Sequence, residues 1–216
     1  MSFRFAVFFH FCRTMALEEF DYADFVSEEK VVPEEKMGKY NLPFILFPFA
    51  FLFIFVINFG TNLFLAGIDN FFTLSNLFLV FSGGLIFHET LHFLSWQALT
   101  RFPIEEFRVA IRWNSFSPVI GCQRPMRKTP FIFGLIFPFF MMGVVPMALA
   151  FYLVDTWLLF AATIYMAWCS ADLLTVLLAW NVEKGAFLEM HRKKLGCVAY
   201  QPRQMIDMHP QSGGYR

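Results

Sequence analysis

The chain is poor in charge. Only 16% of its 216 residues are Asp, Glu, Lys or Arg, and 17 basic residues balance 17 acidic ones. A net charge of zero leaves no basic footprint for nucleic acid, so none is expected as a partner. Cysteine is scarce as well. Cys12, Cys122, Cys169 and Cys197 show no C-x-x-C spacing, which excludes a disulfide framework and a cysteine-rich zinc site. The opening "MSFRFAVFFHFCRTM" does not read as a cleaved leader, because Arg4 and His10 interrupt its short apolar stretch and no small-x-small site follows. Acidic residues come next (Glu18, Glu19, Asp21, Asp24, Glu28, Glu29), so this region reads as a soluble or interfacial arm. Internal repeats and low-complexity linkers are missing too.

Apolar residues fill the space left by charge. They make up 57% of the chain, 32 positions are Phe, and the mean hydropathy is +0.53. Long apolar runs explain such a composition better than a large water-soluble core does. Four stretches could each cross a bilayer, which takes ~20 mostly apolar residues as a helix. They lie at about 43–66, 74–99, 130–154 and 157–180. Pro48, Pro138 and Pro146 fall inside them and are expected to mark kinks.

The basic residues sort by segment. Five precede the first stretch (Arg4, Arg13, Lys30, Lys36, Lys39). Six lie between the second and third (Arg101, Arg108, Arg112, Arg124, Arg127, Lys128), and six follow the fourth (Lys184, Arg192, Lys193, Lys194, Arg203, Arg216). The connections 67–73 and 155–156 carry none. An even number of spans puts all three basic segments on one face, and the positive-inside rule makes that face cytoplasmic. The expected plan is an all-α integral membrane protein of about four transmembrane helices. It divides into a cytoplasmic arm (1–42), a membrane domain (43–180) and a basic cytoplasmic tail (181–216). The tail would fix topology or meet anionic lipid, and His10, His191 and His209 read as surface histidines. The expected location is a bacterial plasma membrane.

One loop has strand period. In "FRVAIRW" Phe107, Val109, Ile111 and Trp113 alternate with Arg108, Ala110 and Arg112, and "SPVIGC" could pair with it. A short hairpin beside the membrane follows, either a structural cover or an edge on which a peptide docks.

The chemistry sits in the second stretch, in "GGLIFHETLHFLSW". Residues i and i+4 of a helix share a face, so His88 and His92 can bind one metal ion together. Glu89 is turned about 100° from His88 and can approach a metal-bound water without ligating. This HExxH pattern is that of the zincins, two His ligands and a Glu as general base. An acidic group within a span costs roughly 2.5–3.5 kcal/mol on insertion scales, so it needs a partner or a purpose. A buried polar network or a proton pathway is the other reading. Gly83 and Gly84, just before the motif, allow a neighbouring helix to come close.

A catalytic zinc needs a third protein ligand. No third His follows at the metzincin spacing. Glu105 and Glu106 are candidates in the loop; Asp172, in "CSADLLTVLL", is the better one. It is the only acidic residue besides Glu89 deep in any of the four stretches. His92, His88 and Asp172 lie 7, 11 and 8 residues from the ends of stretches that run in the same direction. At ~1.5 Å per residue all three sit at about 10–17 Å depth.

"FHETLH", "PFIFGLIFPFFMMGVVP", "SADLL" and "HRKKLGCVAY" together resemble a family of small integral-membrane HExxH proteins, the zincin peptidase family. That family is similar in plan to site-2-type intramembrane metalloproteases. The resemblance spans roughly 80–200 and implies zinc held by His88, His92 and Asp172, with Glu89 as catalytic acid/base. Two departures stand out. Ser170-Ala171 precede the Asp where the family has a small residue and Gly, and the Asn-Pro and Asp-Gly pattern of site-2 proteases is missing. No oxyanion-stabilising residue is therefore identifiable. The expected function is a zinc peptidase that hydrolyses a peptide bond in a membrane-bound polypeptide. The alternative is a non-catalytic membrane metal-binding or proton-relay protein.

Overall fold

A computed structural model describes residues 20–112, 117–191 and 194–203. His10, Cys12, Trp113, Arg192, Lys193 and His209, like most of the arm and tail ends, lie outside the described residues.

The chain enters through strand β1 (Phe25–Val31) and then turns helical. Helices α1 (Glu34–Leu46) and α2 (Phe49–Phe59) form one apolar run, Glu35–Phe59. This run differs from the expected 43–66 at both ends. It starts in the polar arm, and it stops at Gly60, whose φ of +90° suits a residue without a Cβ. A separate helix α3 (Thr61–Phe71) follows the break. Helices α4 (Leu74–Phe78) and α5 (Gly84–Thr100) join through a π-helical turn at Leu79–Gly83. Helices α6 (Lys128–Pro138) and α7 (Val145–Leu153) join through another at Phe139–Val144. The kinks expected at Pro138 and Pro146 take this form, one proline on each side of the turn.

Helices α8 (Thr156–Trp168) and α9 (Ser170–Trp180) close the helical part. The expected single span 157–180 is a pair, bent by 43° where Cys169 interrupts it. Among the described residues three helices are long and apolar enough to cross a membrane. The bent pair makes a fourth if it counts as one span.

The all-α expectation needs a larger correction. The hairpin is there, β2 (Phe107–Arg112) against β3 (Ser117–Cys122), antiparallel. Phe107 packs toward the core, whereas Val109 from the same apolar row is 70% exposed. A second sheet also exists, formed by β1, β4 (Met126–Arg127), β5 (Phe187–Met190) and β6 (Gly196–Pro202) in the antiparallel order β1-β6-β5-β4. Its seven-residue β1·β6 ladder ties the N-terminal arm to the C-terminal tail. "FVSEEKV" has no alternation of apolar and polar residues, so its strand state comes from this long-range pairing.

The sheet packs directly under the helices. Trp96 of α5, Phe131 and Leu135 of α6 and Val176 of α9 share one core with Leu188, Cys197 and Ala199. The Cys122 and Cys197 thiols are free, and burial raises both to a pKa of about 11. His191 differs from an ordinary surface histidine. It is half-buried at the sheet end, where its Nδ1 accepts from the Lys194 N–H at 2.7 Å.

Candidate metal centre

Helix α5 presents His88 and His92 on one face, one turn apart, both buried. Their Nε2 atoms are 3.1 Å apart. Asp172 reaches them from the first turn of α9. Its Oδ2 is 3.2 Å from His88 Nε2 and 3.5 Å from His92 Nε2. The break at Cys169 makes this possible, since it starts a new helix at Ser170, two residues before Asp172, and turns it by 43°. Two donors at ~2.0–2.1 Å from a tetrahedral zinc are about 3.3 Å apart. The three measured separations lie around that value, so nitrogen, nitrogen and carboxylate oxygen fit a zinc-type donor set. Glu105 and Glu106, on the turn Ile104–Glu106, are not part of it. Among the described residues these three are the group that could hold a metal.

The second nitrogen of each imidazole is also engaged. His92 Nδ1 lies 2.9 Å from the Gly134 carbonyl of α6. The sequence explains why that carbonyl is free. An α-helical carbonyl normally accepts from the N–H four residues on, and that residue is Pro138, which has none. The proline that bends α6 thus leaves an acceptor for the histidine. Gly134 also lets the two helices approach, because a Cβ there would run into the indole of Trp96. Trp96 in turn stacks on His92, with centroids 5.2 Å apart and planes at 17°. With Nε2 turned to the donor cluster, Nδ1 carries the proton and donates it to Gly134. Such outer contacts fix the tautomer and ring orientation of a ligating histidine. His88 Nδ1 faces the Cys169 sulfur at 3.6 Å, and Cys169 is fully buried.

Glu89 stands apart from the three donors. It is buried, and its Oε2 accepts from the Ile120 N–H of β3 at 2.7 Å. The hairpin is thereby attached to the HExxH helix through the Glu of the motif.

Residues 81–187 match the sequence model of a family described as "Putative zincin peptidase". Over this segment, about half of the chain, the protein belongs to that family. The family's segment contains the HExxH turn, the hairpin, Gly134 with Pro138, and Asp172, so every residue of the cluster lies in it. No curated protein and no solved structure matches the chain. Family membership marks the protein as a candidate metallopeptidase, and its His-His-Asp group as one that could bind the metal.

The parts played by Gly134, Ile120 and Cys169 do not follow from sequence reasoning alone. Pro138 is the available signal, since a proline inside a helix frees the carbonyl four residues before it. Of Gly83 and Gly84, only Gly84 meets another helix, through the ring of Tyr165.

Proposed function

We propose that the protein is a zinc-dependent peptidase of the membrane, acting on a membrane-embedded or membrane-associated polypeptide. The observation that carries this reading is the buried cluster of His88 Nε2, His92 Nε2 and Asp172 Oδ2, with the motif's Glu89 on the same helix. His88, His92 and Asp172 would hold the zinc. When bound, zinc supplies Lewis acidity, lowering the pKa of water to about 7 and polarising a carbonyl.

The chain's own residues supply the proton transfers. Glu89 accepts the proton of the attacking water and returns it to the leaving amide nitrogen. The Ile120 N–H holds one Glu89 oxygen and leaves the other to face the water. Gly134 keeps the His92 ring in place through both half-reactions. Among the described residues β2 has no strand partner on its outer edge, so an extended polypeptide can lie against the hairpin there.

Three observations support a membrane setting. The apolar helical runs are 25, 27 and 26 residues long, about 38–40 Å, longer than a ~30 Å hydrocarbon core. Their outer faces expose Phe53, Ile57, Phe78, Ile86 and Tyr152, a surface that suits lipid and not water. The segments before, between and after the spans (β1, β4, β5 and β6) share one sheet, which an even number of crossings explains. With the basic residues of those segments, this supports the reading that the N-terminal arm and the C-terminal tail face the cytoplasm.

The test is zinc content together with cleavage of a membrane substrate in matched variants. Glu89→Gln should keep zinc and lose cleavage, and full activity in that variant would sink the mechanism. Asp172→Ala should lose zinc, and an unchanged affinity would remove Asp172 from the ligand set. Wild-type protein that binds zinc and cuts nothing would point to a metal-binding protein without catalysis.

A further inference from the structure

A large cavity lies away from the donor cluster, on the outer side of α6. Its volume is about 1180 Å³, above the ~300–1,000 Å³ of an ordinary small-molecule site. It has two unlike ends. At one end stand Arg127, just before α6, and Lys184, in the turn after α9. Among the described residues neither has an ion-pair partner, and no carboxylate lines the cavity. The nearby Lys128 is already engaged, because its Nζ donates to the Trp180 and Val182 carbonyls at 2.6 Å each. That pair of bonds fastens α6 to the end of α9 and forms the wall between them.

The other end is apolar. Phe133 and Phe137 of α6 and Phe140 of the π-helical turn that continues it follow one another at spacings of four and three residues, on one helical stripe. Phe133 and Phe140 are half exposed, and Trp180, at the rim, is 65% exposed. From Lys128 to Phe140 is 12 residues, or about 18 Å of helix, close to half of a ~30 Å hydrocarbon core. The depth is that of one leaflet, with charge at the surface, a Trp at the interface and rings below it.

We infer that this cavity binds one anionic phospholipid of the cytoplasmic leaflet. Its phosphate lies between Arg127 and Lys184, and an acyl chain runs along Phe133, Phe137 and Phe140. The inference rests on the membrane setting proposed above but not on the peptidase chemistry. A free phosphate would meet the same two cations but would have no use for the aromatic stripe.

The test uses the full chain, purified, stripped of lipid and incubated with phosphatidylglycerol or phosphatidylcholine of identical chains. Native mass spectrometry counts the lipids retained. The wild type should keep phosphatidylglycerol in preference to phosphatidylcholine. The double variant Arg127→Gln/Lys184→Gln should bind phosphatidylglycerol about 25-fold more weakly, at roughly fivefold for each cation near a lipid surface. Its zinc content and thermal unfolding should stay as in the wild type, because both side chains are remote from the cluster and solvent-accessible. Equal retention of the two lipids overturns the inference, as does an unaltered affinity in the double variant. Displacement of the lipid by millimolar inorganic phosphate means a simple anion site and overturns it as well. A dimer in the same spectra that carries no lipid means that a second copy covers the cavity, which also overturns it. Extraction of the protein from membranes by alkaline carbonate is a separate outcome, which overturns the membrane setting itself.

Discussion

Two places in this molecule join distant parts of the chain, and they do so by opposite means. The donor cluster brings residues 88, 92, 120, 134 and 172 together among buried apolar side chains. The four-stranded sheet brings residues 25–31, 126–127, 187–190 and 196–202 together at the polar end. In the cluster nearly every polar atom has a named partner, because a buried polar group without one costs roughly 1–3 kcal/mol. At the sheet most charges are exposed, whereas Glu189 of β5 is buried and accepts from the Tyr200 hydroxyl at 3.1 Å. Glu29 meets Lys194 at 3.1 Å and the half-buried His191 at 3.6 Å, and Lys30 pairs with Glu28. Such exposed pairs add little to stability, because solvent screens them. Specificity therefore comes from single contacts in the cluster, and from the backbone ladder in the sheet.

The contrast predicts a graded series of effects. The largest should follow removal of a donor: His92→Ala should abolish stoichiometric zinc binding, as measured by metal analysis after gel filtration. Retained zinc would show that the stacked, carbonyl-bound imidazole is not a ligand. Next comes the outer contact. Pro138→Ala returns an N–H to the helix position that serves the Gly134 carbonyl, which then competes with His92. Zinc affinity should fall about 10–100-fold, the usual cost of losing an outer-shell partner. An affinity equal to wild type, with the helix intact by circular dichroism, would break the link between the kink and the histidine. Gly134→Ala adds a methyl against Trp96 and should destabilise the fold by about 1–3 kcal/mol, read as a lowered unfolding temperature in detergent.

Ile120→Pro isolates the hairpin's part. Its N–H points at Glu89 and not at β2, so the ladder should survive while Glu89 loses its donor. Cleavage should drop about 10–150-fold through kcat, with zinc content unchanged, a hydrogen bond to a charged group being worth ~1.5–3 kcal/mol. A loss of zinc instead would mean that the hairpin is structural.

The smallest effect belongs to the sheet. Lys194, by hydrogen bond and charge, holds the Glu29 carboxyl below the usual carboxylate range. A pKa lower in the folded than in the unfolded chain gives stability that is present above the unfolded value, about 4.3. That stability is lost as pH falls through the folded value. Glu29→Gln should therefore lower neutral stability only slightly, because the pair is exposed, and flatten the acid limb below about pH 4 by the same small amount, seen as hydrogen exchange in β1. A marked loss at neutral pH would show that this exposed pair carries more of the sheet than its ladder does.

Much of the site is legible in the sequence because it is written at short, fixed spacings. His88, Glu89 and His92 acquire their relative directions from 3.6 residues per turn, and "FRVAIR" acquires strand form from its alternation. The depth of Asp172 follows from counting residues to a span end. The polar sheet is not legible. "FVSEEKV" has no strand period, and "GCVAYQP" becomes its partner only when the fold bridges the 165 positions from Val31 to Gly196. The break at Gly60 and the bend at Cys169 escape a sequence reading for a related reason, since hydropathy measures a run of apolar residues and not its straightness.

By itself the sequence determined the apolar runs, the confinement of basic residues to three segments outside them and the HExxH turn, because each depends on local composition or helical period. Only the tertiary structure decided which partner each buried polar atom takes. His92 turned to the carbonyl that Pro138 leaves free, Glu89 to the Ile120 N–H, and Asp172 to the histidines across the bend. Those choices depend on how close two helices or a helix and a strand come. Side-chain volumes at Gly134, Trp96 and Cys169 set that closeness, and no spacing along the chain expresses it.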